Sequence, residues 1–98
     1  MQKCCFSTYV HGWYQDFIPT YIFSILHAFP NHYVKIFLHE KLNDYNKEAL
    51  NLIDNKNYQI IENYQEKIEN YKIPHLAAIR FLLPEEEFDG FDYVYFGD

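Results

Sequence analysis

The feature that most constrains this chain is an alternation. Short β-branched and aromatic runs take turns with segments whose apolar residues recur every three or four positions. Cys4 to Val10 reads as a buried strand, and His11-Gly12 breaks it. Pro19 suits the first turn of a helix, where its missing N–H costs nothing. Ile22, Ile25, Leu26 and Phe29 follow at helical spacing, and Pro30-Asn31 ends the element. Tyr33 to Leu38 is a second strand. Asn43 or Asp44 can cap a second helix, with Tyr45, Ala49, Leu52 and Ile53 as its expected buried stripe. Tyr58 to Ile61 is a short third strand, and Glu62 to Lys72 reads as loop or weak helix. Pro74 opens a third helix through Leu83, Glu85 to Gly90 is a connecting turn, and Asp92 to Phe96 is the last strand.

Strand-helix-strand order of this kind builds βαβ crossovers. The expected class is therefore α/β: a three-layer αβα arrangement around a mostly parallel sheet of about four strands. Length sets the scale. With 98 residues the chain holds one small domain or part of a larger one. Apolar content of 49% with 20% aromatics argues against disorder. Ten Tyr are more phenols than one small core can satisfy, so many belong on surfaces or at a ligand rim.

The net charge of −6 and the lack of a basic stripe argue against nucleic acid as a partner. Cys4 and Cys5 are neighbours, so on a strand they point to opposite faces and are poorly placed to pair. That fits a reducing, cytoplasmic setting. The longest apolar stretch, Phe17 to Phe29, contains Pro19 and His27 and falls short of the ~20 residues of a spanning helix. No signal-peptide pattern opens the chain.

Motifs narrow the chemistry mostly by exclusion. No Gly-x-Gly-x-x-Gly follows the first strand, and no Gly-rich Lys-Ser/Thr loop is present. His39-Glu40 begins like a zinc-protease helix, but Asn43 stands where the second His belongs. Glu85-Glu86-Glu87 reads as a solvated turn. Arg80 shares a helix face with Ile73, Leu76, Ala77 and Phe81. A guanidinium on an inward face needs an anion, either a structural partner such as Asp92 or a ligand phosphate or sugar. His11, Trp13 and Tyr14 follow the first strand, at the edge where open α/β sheets bind ligands. That cluster either stacks on a base or packs its loop onto the first helix. At the other end, Tyr93-Val94-Tyr95-Phe96 runs into Gly97-Asp98, which brings a carboxylate to the same edge.

These stretches together resemble a family. Phe6 to Leu26 with Tyr14 and Ser24-Ile25-Leu26, Ala28 to Leu38, the Arg-bearing His75 to Leu83, and Tyr93 to Asp98 are similar to the N-terminal part of GT-A fold nucleotide-sugar glycosyltransferases of the galactosyltransferase and glycogenin type. The resemblance implies that Thr8, Tyr9, Val10 and His11, with Tyr14 nearby, hold the nucleotide base and ribose, and that Arg80 contacts the donor. It makes Asp98 the first Asp of an Asp-x-Asp motif binding Mn²⁺ or Mg²⁺ on the diphosphate. The partners it implies are a nucleotide-sugar donor, a UDP-sugar foremost, and a glycan or lipopolysaccharide-type acceptor. It also implies that residues 1–98 are the nucleotide-binding portion of a truncated domain, inactive alone. The setting it implies is cytoplasmic, including the inner face of the membrane as a peripheral site. The alternative is a non-catalytic α/β binding or interaction module, self-associating through an exposed sheet edge. A flavodoxin-like regulatory domain ranks below both, because no acidic cluster follows the first strand.

Overall fold

A computed structural model of the chain describes residues 4–68 and 85–96. The protein is α/β, as the alternation requires. Strands β1 (Cys4–Val10), β2 (Tyr33–Leu38), β3 (Tyr58–Ile61) and β4 (Tyr93–Phe96) form one sheet in the order β3-β2-β1-β4. All three pairings are parallel. Helices α1 (Ile18–Ala28), α2 (Asp44–Asn51) and the short α3 (Gln65–Ile68) join them, with 3-10 segments at Gly12–Phe17 and Glu85–Phe88. The expected helix over 74–83, with Arg80, lies outside the described residues, as does Asp98.

The sheet order carries a functional consequence. From β1 the chain steps outward to β2 and β3, then returns to lay β4 on the other side of β1. Connections on either side of β1 therefore diverge, leaving a topological switch point between β1 and β4. Open α/β sheets bind ligands at the carboxyl ends of the strands beside such a point.

Register sorts the strand residues onto two faces. Phe6, Thr8 and Val10 stand level with Val34, Ile36 and Leu38, and belong to the first face. There α1 lays Ile18, Ile22 and Leu26 into the core at i, i+4, i+8 spacing, and α2 adds Leu50. Pro19 occupies the first turn of α1, and the backbone N–H of Phe29 closes the helix on the Ile25 carbonyl at 2.7 Å before Pro30. On the second face Phe37 packs with Tyr64, and Tyr9, Ile61 and Phe88 join them. The Lys35 amine donates to the Glu87 carbonyl and lies 5.8 Å from the centre of the Phe88 ring, which ties the second 3-10 segment to β2.

Two local expectations are corrected. The buried residues of α2 are Asn46 and Leu50, one position round from the expected Tyr45 and Ala49, while Ile53 just beyond the helix is buried as expected. Tyr45 and Leu52 are 76% and 84% exposed. Asn43 is the N-cap, its side chain accepting the Asn46 N–H at 2.8 Å. Asn46 turns inward because Asp16 and Gln15 meet its amide there, so the helix rotates to satisfy a polar group. Glu87, expected in a solvated turn, is half-buried, and its Oε2 is buried with no hydrogen-bond partner.

Candidate functional site

The chain turns sharply where β1 ends. The His39 N–H bonds the Val10 carbonyl at 2.8 Å, and His11 remains extended. Gly12 then takes φ +63°, the left-handed conformation that glycine adopts at little cost. No atom would meet a Cβ there, so the demand is conformational and not one of space. This turn launches the 3-10 segment Gly12–Phe17 across the carboxyl edge of the sheet, toward α1.

A cavity of about 320 Å³ opens under that segment. Its walls are Thr8, Tyr9, Val10 and His11 from the end of β1, Tyr14 and Phe17 from the 3-10 segment, Ile18 and Tyr21 from α1, and Ile36 from β2. All five described residues that the sequence reading nominated, Thr8, Tyr9, Val10, His11 and Tyr14, line this one space. The structure does not bring Arg80 or Asp98 into the comparison, because both lie outside the described residues. Among the described residues no three His, Cys, Asp or Glu side chains gather as a metal cluster.

The aromatic rim is ordered by stacking. Trp13 lies on Tyr14 with ring centres 4.2 Å apart and planes 23° from parallel. The His11 ring meets Tyr14 edge-on at 5.8 Å, and Trp13 also approaches Phe17 at 6.1 Å. Trp13 is 66% exposed, so packing of the loop onto the first helix does not account for its ring. Among the described residues that line it, none is a carboxylate, lysine or arginine. The polar groups available are the Thr8 hydroxyl, the His11 ring and the tyrosine phenols. The Tyr21 hydroxyl is buried without a hydrogen-bond partner among the described residues, and burial, with smaller contributions from Cys5 and Tyr95, pushes its pKa up to about 12. An orphaned donor of this kind is unfavourable unless something meets it.

Tyr9 links the cavity to the second face. Its hydroxyl lies 2.6 Å from His39 Nδ1. Burial, then the Glu40 and Tyr64 charges, holds the Tyr9 phenol protonated to well above its ordinary range. A second cavity of about 350 Å³, bordered by Cys4, Asn31, His32, Tyr33, Asn57 and Asp89 to Phe91, is at the amino ends of the strands. That edge is the one open α/β sheets do not use for ligands.

Sequence reading missed Phe17, Ile18, Tyr21 and Ile36 as cavity walls. Their spacing marks them as apolar faces of α1 and β2, and only the packing of those elements leaves a gap between them. It also missed Gln15, which is 8% exposed beneath the rim. The one available signal was an amide set inside an aromatic run.

No protein-family model, curated protein or solved structure matches this chain.

Proposed function

We propose that this chain is the nucleotide-binding part of a glycosyltransferase that moves a sugar from a nucleotide diphosphate donor, a UDP-sugar foremost, to a glycan or lipopolysaccharide-type acceptor. The observation that carries the reading is the convergence of Thr8, Tyr9, Val10, His11 and Tyr14 on one cavity at the carboxyl end of β1, beside the switch point of the sheet. The cavity's chemistry suits the nucleoside end of such a donor. Aromatic walls offer faces and edges to a planar base, and an unpaired Tyr21 hydroxyl offers a hydrogen bond. The diphosphate needs positive charge that these walls do not supply, and on this reading it comes from Arg80 and from Mn²⁺ or Mg²⁺ at Asp98. The metal would neutralise charge developing on the leaving diphosphate. The cytoplasm, including the inner membrane face, is the setting where such donors are met. No helix among the described residues is long and apolar enough to cross a membrane.

Titration calorimetry with uridine diphosphate and Mn²⁺ tests the reading. Saturable binding that Tyr14→Ala weakens about tenfold is expected, since one base–aromatic stack is worth about 1–3 kcal/mol. If neither uridine nor guanosine diphosphate binds with metal present, the reading is lost.

One observation favours a second reading, a non-catalytic interaction module. Strand β4 is outermost among the described residues, and its Tyr93 and Tyr95 are 57% and 60% exposed. An aromatic strand in that position is suited to pairing with another chain. Sedimentation showing concentration-dependent dimers, with no nucleotide binding, selects it.

A further inference from the structure

The 3-10 segment that roofs the cavity is short and begins at a glycine with positive φ. Segments of this kind hold poorly by their own hydrogen bonds. No side chain caps its start at His11. What holds it lies on its inner side, in a cluster of amides that the cavity itself does not contain.

Gln15 is nearly buried, and its two ends are used differently. Its Oε1 accepts the Asn43 N–H at 2.9 Å and the Asn46 Nδ2 at 3.4 Å. Its Nε2 donates to Glu40 Oε1 at 3.4 Å and to the Lys41 carbonyl at 3.5 Å. Asn46, 0% exposed, also donates from Nδ2 to Asp16 Oδ1 at 3.0 Å. Gln15 and Asp16 are in the segment that carries Trp13, Tyr14 and Phe17. Glu40, Lys41, Asn43 and Asn46 belong to the β2–α2 loop and the start of α2. The bonds thus run from the cavity's roof to an element that touches no ligand space.

We propose that Gln15 and Asn46 are positioning residues of the candidate site, an amide latch that fixes the roof and so sets the angle of Tyr14 over the cavity. Two features point beyond a packing role. Asn46 Oδ1 is buried with no partner among the described residues, so the side chain is held in place for its donor and not for full satisfaction. The latch also forces α2 to bury Asn46 while Tyr45 and Leu52 remain exposed, against its own apolar periodicity. The ligand half of this inference rests on the nucleotide reading above; the structural half does not.

The single tryptophan, Trp13, reports the roof directly through its stack on Tyr14. Three variants are compared with the parent chain: Asn46→Asp, which removes the donor and sets a carboxylate against Asp16; Asn46→Asp combined with Asp16→Asn, which restores the pair with donor and acceptor exchanged; and Gln15→Met, which keeps volume and removes the hydrogen bonds. Near-ultraviolet circular dichroism and acrylamide quenching of Trp13 are measured beside the binding of uridine. Asn46→Asp and Gln15→Met are expected to lose the stacked Trp13 signal, quench more readily, and bind uridine roughly fivefold more weakly, the worth of about one hydrogen bond. The exchanged pair is expected to regain part of all three, since it restores the bond to position 16 but not the one to Gln15 Oε1.

If Asn46→Asp does not fold, Gln15→Met decides by the same readouts. Folded variants whose Trp13 signal matches the parent overturn the latch. A parent that binds uridine, with variants of altered Trp13 signal that bind it equally well, also overturns it. A parent that binds no uridine removes the nucleotide reading, and the Trp13 signal alone then decides the latch.

Discussion

The two faces of the sheet are built by different means. On the first, β2 and α1 meet through aliphatic side chains: Val34, Ile36 and Leu38 against Ile18, Ile22 and Leu26. On the second, rings do the packing. Phe37 meets Tyr64 at 5.1 Å and Phe88 at 5.7 Å, and Phe88 meets Phe96 at 5.4 Å. Residues on the first face come from β1, α1, β2, α2 and β3, elements that follow one another in the chain. Those on the second come from segments far apart in the chain, pinned by the Lys35 amine on the Glu87 carbonyl. Successive elements build the closed aliphatic core of the first face, with Phe6 stacked on Phe29 at 5.5 Å at its margin, whereas the ring cluster of the second face exists only once distant segments have met. The cavity is at the border of the two, where Tyr9 faces His39 on one side and the rim aromatics stand on the other.

The sharpest way to break this comparison is on the aliphatic face. Ile22 is fully buried, and Ile22→Ala removes core volume and leaves a void. A loss of about 2–5 kcal/mol in urea unfolding is expected. A loss under 1 kcal/mol would mean that this layer is not the closed core described.

The two cysteines sharpen it next, because adjacent positions put them on opposite faces. Cys5, on the ring-packed face, has no exposed surface, and burial raises its pKa from 9.0 to about 11. At neutral pH its thiolate is about a hundred times scarcer than in the unfolded chain. One thiol per folded chain, Cys4, is expected to react promptly with a disulfide reagent, the second only on unfolding. The same shift has a sign in stability. The folded state holds the Cys5 proton more tightly, so this contribution is complete below pH 9 and is lost as pH rises through about 11. Tyr21 acts likewise between pH 10 and about 12. Melting temperature measured from pH 8 upward should fall across that window.

The smallest effect belongs to the aromatic face. Phe88 is half-buried, and Phe88→Ala should cost about 1–3 kcal/mol. Hydrogen exchange should rise in β4 and the second 3-10 segment while α1 and β2 remain protected. Equal exchange everywhere would show that the faces open as one unit.

Much of this architecture was legible beforehand. Strands β1, β2 and β3 start and stop where β-branched runs meet His11-Gly12, Asn31 and the polar turns, and β4 differs from its expected span by Asp92 alone. Pro19 and Pro30 bracket α1 as their chemistry requires. For the site, the β1 end and Tyr14 were legible because a strand terminus followed by aromatics is a local pattern. Tyr21 was not, since an inward tyrosine on a helix reads as core until the opposite wall is known. The rotation of α2 was hidden for a similar reason: Asn46 is polar by type, and its burial depends on Asp16 and Gln15, some thirty positions away.

The sequence by itself determined the four strands, α1 and α2, their alternation, a cap at Asn43 or Asp44, and Ile22 and Leu26 as buried positions of α1. Those depend on backbone preference and on periodicity within a few residues. Tertiary structure alone decided that β4 lies beside β1, that Asn46 and not Tyr45 faces inward, that rings from distant segments close the second face, and that a cavity remains beneath Trp13 and Tyr14. Each of those is settled by which partners meet across the sheet, and the free energy of such meetings is a property of pairs that no single stretch of chain contains.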